Sequence, residues 1–137
     1  MSTVLVDSNV IFDVLEEDPV WGEWSEEALR DCAVSGTLVI NPIIYAEVSV
    51  GYARVEDLEA AVPPDVFRRE DLTYDAAFLA GKAYLAFLDN GGKRTTPLPD
   101  FYIGAHAATA KYELLTRDPK VYRTYFPGLK LITPDEH

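Results

Sequence analysis

The chain has one cysteine (Cys32), one methionine and two histidines in 137 residues. A lone cysteine cannot close an internal disulfide, and without a Cys/His cluster the common zinc patterns are excluded. No apolar run approaches the roughly 20 residues that a transmembrane helix needs. Met1-Ser2-Thr3-Val4 lacks the basic start and apolar stretch of a secretory signal. These absences predict a cytoplasmic protein. Phosphate-cradling and dinucleotide-binding glycine patterns are missing too, and no Gly-x-Ser-x-Gly elbow surrounds Ser8.

Basic residues are also scarce: 12 Lys and Arg stand against 23 Asp and Glu, a formal net charge of −11. Phosphate binding draws on Lys and Arg, so the total argues against a nucleic-acid partner. The distribution weakens that argument. Residues 1–75 carry 17 acids and 4 bases, whereas residues 76–137 carry 6 acids and 8 bases. A basic surface therefore has to come mainly from the second half, where Lys93, Arg94 and Arg117 are the candidate phosphate contacts.

What is present is an ordinary globular composition, 48% hydrophobic and 26% charged, in a length that suits one domain spanning residues 1–137. Thr3-Val4-Leu5-Val6 reads as a buried strand and Val10 to Leu15 as a short helix. Trp24, Ala28 and Cys32 recur at helical spacing, closed by Gly36; Thr37 to Ile40 is a second strand. Asn41-Pro42 starts a helix expected to reach about Arg54, because Asn caps and Pro tolerates the first helical position. A lesser helix covers Val55 to Val62, and Val66 to Arg69 reads as a strand. The small-residue stripe Ala76, Ala80, Ala83 marks a helix from Tyr74 to Asp89, ended by Gly91-Gly92. A polar loop from Lys93 to Pro99 precedes a helix from Asp100 to Tyr112. Glu113 to Thr116 and Lys130 to Ile132 complete the strands. Strands alternating with helices predict a three-layer α/β domain around a mostly parallel sheet.

Four acids stand out by position. Asp7 follows the first strand, and Asp118 lies just beyond the strand ending at Thr116. Asp100 opens a helix. Glu47 is the only charged residue between Leu38 and Ala53, in the apolar setting Ile43-Ile44-Tyr45-Ala46-Glu47-Val48. Each has an ordinary structural reading: Asp7 and Asp100 as helix caps, Asp118 as a turn former before Pro119, Glu47 on a solvated stripe with Arg54. Taken together they converge on one edge, because parallel sheets bind ligands beyond the carboxyl ends of their strands. Gathered carboxylates repel, and a hard divalent cation with oxygen ligands relieves the repulsion. His106 and Cys32 read as packed residues, and Trp21 and Trp24 as the core face of a helix.

The ordered blocks Leu5-Val6-Asp7-Ser8-Asn9-Val10, Asn41 to Val48, Pro99 to Ala107 and Leu114-Leu115-Thr116-Arg117-Asp118 resemble the PIN-domain nucleases. Within these, the chain is most similar to the VapC toxins of type II toxin–antitoxin systems. The resemblance implies an α/β/α PIN fold, cleavage of single-stranded RNA with Mg²⁺ or Mn²⁺, a cognate antitoxin and a homodimer. It also implies that Asp7, Glu47, Asp100 and Asp118 are catalytic and hold the metal, with Asn9 and Thr116 orienting carboxylates or water. One departure concerns the last block. Many relatives read Thr-Arg-Asn with an acid three residues later followed by Phe, where this chain has Asp118 and then Val121-Tyr122. Two rival expectations are a PIN-like module that binds RNA or protein without cutting, and a haloacid-dehalogenase-like phosphohydrolase. The latter wants a second Asp where Asn9 stands.

Overall fold

The computed structural model describes residues 2–94 and 98–134. Among these residues, five strands form one sheet: β1 (Ser2–Val6), β2 (Gly36–Ile40), β3 (Phe67–Arg69), β4 (Glu113–Leu115) and β5 (Leu131–Ile132). All pair in parallel, in the order β3-β2-β1-β4-β5. Seven helices of the described residues flank it: α1 (Ser8–Leu15), α2 (Gly22–Ser35), α3 (Pro42–Ser49), α4 (Val55–Ala61), α5 (Tyr74–Asp89), α6 (Pro99–Ala110) and α7 (Lys120–Tyr125). This is the three-layer α/β/α arrangement expected from the alternating pattern.

The central strands are apolar because both faces are covered. Leu5, Val6, Val39, Leu114 and Leu115 are wholly buried, and Ile44, Phe101 and Ile103 close over them from the helices. The chain winds outward from β1 to β3 and then returns to place β4 on the other side of β1. That reversal creates a switch point between β1 and β4, where a crevice opens beyond the strand ends.

The register fixes what lines that crevice. Val6 pairs with Leu115, Leu5 with Val39, and Ile40 with Arg69. One residue further on, every strand turns polar: Thr133, Thr116, Asp7, Asn41 and Glu70 form a row along the rim. The backbone continues the pairing there, with Asp7 N–H donating to Leu115 O, Thr116 N–H to Ile132 O and Glu70 N–H to Ile40 O.

Three elements differ from the sequence expectations. Helix α3 ends at Ser49, not near Arg54; Val50 is exposed, Gly51 follows, and Tyr52 N–H turns back to Ser49 O. Arg54 then begins α4 and pairs with Glu56, so it shares no stripe with Glu47. Gly36 closes α2 as its C-cap, as expected, but it also opens β2 with extended backbone and is small for a different reason: a Cβ there would lie 1.9 Å from Ser2 O. Helix α7 was not anticipated, since Val121, Tyr122, Thr124 and Tyr125 have modest helix propensity and no capping side chain. Residues 95–97 of the expected polar loop lie outside the described residues.

Candidate metal centre at the sheet rim

Asp7 stands at the N-cap position of α1 yet makes no capping hydrogen bond. Its side chain is instead held from across the switch point. Tyr122 Oη donates to Oδ2 at 2.8 Å, Thr116 Oγ1 at 2.9 Å and Asn9 Nδ2 at 3.4 Å. Thr116 also accepts from Asn9 Nδ2 and from the Asp118 backbone N–H, and Asn9 Oδ1 accepts from Arg117 N–H. Asn9 and Thr116 thus stand beside Asp7. Asp7 is 3% exposed. Burial pushes its pKa up against these hydrogen bonds, with a further upward push from Asp118.

Glu47 projects from α3, whose start is fixed by Asn41 Oδ1 accepting from Ile44 N–H and by Pro42 in the first turn. Ser8 Oγ donates to its Oε1 at 2.8 Å. Burial raises its pKa, the Ser8 bond lowers it, and Asp7 raises it again. Asp100 follows Pro99 in the first turn of α6; Leu98 occupies the N-cap, so the simple capping role falls away. The Asp100 pKa is raised to about 7, first by burial and then by repulsion from Asp7, Glu47 and Asp118. Asp118 is exposed beside Thr116 and adds its charge to the same field.

The four acids predicted from sequence therefore share one rim and feel one another's charge. Among the described residues, however, no three His, Cys, Asp or Glu side chains close on a common point as a finished metal cage. The donor set still fits a hard divalent cation. It is all oxygen, partly desolvated and mutually repelling, and Mg²⁺ needs only a few protein ligands because it keeps several waters.

The proposed basic residues behave differently from one another. Lys93 and Arg94 are exposed after α5 and bond to none of the four acids. Arg117, next to Thr116, is committed inward: its Nε donates to both oxygens of buried Asp13, at 2.8 and 3.0 Å. Ser25 Oγ donates to the same carboxylate, and the Arg117 guanidinium lies over the Trp21 ring. Trp21 thus faces Arg117, whereas Trp24 packs against the core as expected.

Sequence reasoning missed Tyr122, Ser8 and the far end of the rim. Tyr122 is 1% exposed, and burial together with the acids around it pushes its phenol pKa well up, so it is a donor. The signal was a tyrosine four residues beyond Asp118, whose hydroxyl needs a partner when the ring is buried. At the far end, Asn41 Oδ1 is spent on capping, so its Nδ2 donates to His106 Nδ1 at 3.0 Å. That leaves His106 Nε2 to donate toward Glu70 at 3.4 Å, with Tyr112 and Arg68 also bonded to Glu70. His106 is a packed histidine, as read from sequence, though within a polar network. A hollow of about 220 Å³ opens beside Asn41, Tyr45 and Glu70, while one of about 790 Å³ lies at the amino ends of the strands, near Ser2, Lys111 and Phe126.

A family model described as PIN domain matches residues 4–127. No curated protein sequence matches the chain. Among solved structures, it is similar to VapBC2 from Rickettsia felis bound to a promoter DNA fragment, at 18% identity and a TM-score of 0.73. That match covers 96% of this chain and 98% of that one. FitAcB from Neisseria gonorrhoeae matches at 18% identity and a TM-score of 0.71, covering 96% and 97%. A toxin–antitoxin complex from Klebsiella pneumoniae matches at 23% identity and a TM-score of 0.71, covering 98% and 99%. At these identities the structures speak for the fold.

Proposed function

The chain belongs to the PIN domain family, and on that footing we propose that it is a Mg²⁺-dependent endoribonuclease, the toxin of a type II toxin–antitoxin system. One observation carries the reading: four carboxylates lie along one rim near enough to act on one another, with Asp100 raised to about 7 by burial and by the other three. Asp7, Glu47, Asp100 and Asp118 would hold Mg²⁺, or Mn²⁺ in its place. The cation supplies Lewis-acid polarisation of a phosphate and a lowered pKa for water. The rest belongs to the protein. Thr116 and Asn9 orient Asp7, Ser8 orients Glu47, and Asp118 adds charge at the open side of the site. Water adds across the P–O3′ bond, leaving a 5′ phosphate and a 3′ hydroxyl.

Single-stranded RNA suits this rim because an extended strand can lay a phosphate over the carboxylates without unpairing. Lys93, Arg94 and Arg117 are the proposed phosphate contacts; Arg117 is 31% exposed and offers its terminal nitrogens while Nε stays on Asp13. A cognate antitoxin, a homodimer and a cytoplasmic setting belong to the same proposal. No helix among the described residues is long and apolar enough to cross a membrane. The rival is a PIN-like module that binds without cutting, favoured by the open spacing of the acids.

Cleavage-end mapping on total RNA separates the two. A nuclease gives discrete 5′-phosphate ends that vanish in EDTA and in Asp7→Ala or Asp100→Asn, with the fold retained. RNA left intact by the wild type in Mg²⁺ and Mn²⁺ would establish the binding module instead.

A further inference from the structure

Among the described residues, the three side-chain donors that reach Asp7 all land on one oxygen, Oδ2. A carboxylate oxygen has two lone-pair sites, and the Tyr122 and Thr116 hydroxyls at 2.8 and 2.9 Å occupy both. Asn9, at 3.4 Å, adds a longer contact to the same atom. Tyr122 is not a mobile donor. Its helix α7 is locked to α6, the helix carrying Asp100, because the Phe126 ring fills the space left by Gly104. A Cβ on Gly104 would lie 2.5 Å from that ring. Tyr125 packs against Phe101 and Phe87 on the same side. The hydroxyl is therefore delivered to Asp7 by a rigid element that begins two residues after Asp118.

We propose that Tyr122 is a positioning residue: its hydroxyl, with that of Thr116, commits Asp7 Oδ2 to the protein so that Asp7 meets the divalent cation through Oδ1 alone. This rests on the metal-dependent reading above. Fixing one oxygen removes the freedom of the carboxylate to rotate or to chelate through both oxygens. It also ties the loop bearing Asp118 to the Asp7 side of the crevice. Outer partners of this kind typically change metal affinity by 10–100-fold.

The test is a Mn²⁺ titration of the full-length protein without RNA, following the electron paramagnetic resonance signal of the free ion. Wild type, Tyr122→Phe and Asp100→Asn are compared, with circular dichroism as the check on folding. Tyr122→Phe removes one oxygen and is expected to weaken Mn²⁺ binding about tenfold, and to lower kcat for RNA cleavage without raising KM. A phenol that merely satisfies its own burial would change thermal stability and leave Mn²⁺ affinity untouched, and that result overturns the proposal. A crystal structure of the Mn²⁺-loaded wild type gives a second, variant-free reading: Oδ1 on the ion with the Tyr122–Oδ2 bond intact is expected. Ligation through Oδ2 or through both oxygens overturns the proposal. Wild-type protein that binds no Mn²⁺ overturns the metal-dependent reading and this inference with it. Binding that Asp100→Asn abolishes and Tyr122→Phe leaves unchanged sinks only the role of Tyr122.

Discussion

Ser8 Oγ donates to Glu47 Oε1 at 2.8 Å, joining the first turn of α1 to α3 across 39 positions of sequence. Ser8 directly follows Asp7, so one short segment carries the first acid and the hydroxyl that steers the second. The bond opposes the burial that raises the Glu47 pKa.

Ser8→Ala is expected to leave the fold intact and to slow RNA cleavage about tenfold, the low end for loss of an outer partner at a metal site. Without the hydroxyl, Glu47 holds its proton more tightly and the proton competes better with the cation. The defect should shrink as pH or Mg²⁺ concentration rises. Rates measured at pH 6, 7 and 8 across a Mg²⁺ series check this; a defect of constant size would show that Ser8 does not act through Glu47.

The Asp100 carboxyl predicts the pH dependence of stability in the metal-free protein. Its folded pKa, about 7, lies above the ordinary value of 3.8, so the folded form binds the proton more tightly than the unfolded one. Stability is fully present below the unfolded value and is lost as pH rises through about 7. Asp7 and Glu47 are raised too and act in the same direction, whereas Glu59 and Glu70 are lowered and titrate below 4.5. In EDTA the melting temperature should therefore be higher at pH 5 than at pH 8. Asp100→Asn should flatten that slope, and Mg²⁺ should restore stability at pH 8. A wild-type melting temperature that climbs from pH 5 to pH 8 in EDTA would contradict the coupling.

Arg117 and Asp13 allow structural and RNA-binding roles to be separated. Asp13 is 2% exposed and takes its charge partner from Arg117 Nε. Removing the arginine strands a buried carboxylate, so Arg117→Met is expected to destabilise the fold by about 3 kcal/mol. The double variant Asp13→Asn/Arg117→Met removes both charges and should recover most of that loss. If Arg117 also touches RNA phosphate, the refolded double variant will bind RNA more weakly than wild type, with a shallower salt dependence. Wild-type RNA affinity in the double variant would confine Arg117 to holding Asp13.

The strands, the parallel sheet and the approximate position of each acid were readable because they rest on local chemistry. Val4-Leu5-Val6 and Val39-Ile40 are apolar runs ending in a polar residue, and Asn41-Pro42 announces a helix through its own capping geometry. Asp7 and Asp100 looked like caps for the same local reason; tertiary bonds from Tyr122 and Thr116 claim the Asp7 carboxylate, and α6 starts one residue before Asp100, with Leu98 at its N-cap. Tyr122 was hidden because its importance lies entirely in a bond 115 residues distant, from a helix with weak propensity. Arg117 misled in the opposite direction. A base beside an acid of the predicted site reads as a phosphate contact, and nothing local reveals that Asp13, 104 residues earlier, already holds its Nε.

Gly36 tests how far the amino ends of the strands are independent of the site. Its φ of −168° is extended backbone open to any residue, so a substitution there meets no conformational penalty. The obstacle is space, since a Cβ would fall 1.9 Å from the Ser2 carbonyl oxygen, a backbone atom with no rotamer to swing aside. Gly36→Ala must push the start of β1 off β2 at the Ser2–Gly36 pair. Overpacking of this kind typically destabilises by about 1–3 kcal/mol, readable in urea denaturation. The Val4–Leu38 and Leu5–Val39 pairs lie nearer the carboxylate rim and keep their register, so cleavage per folded molecule should match wild type. Faster hydrogen exchange confined to the first residues of β1 and β2, with unchanged Mn²⁺ affinity, is the expected pattern. Loss of Mn²⁺ binding in a folded Gly36→Ala protein would mean that strain at one end of β1 reaches Asp7 at the other.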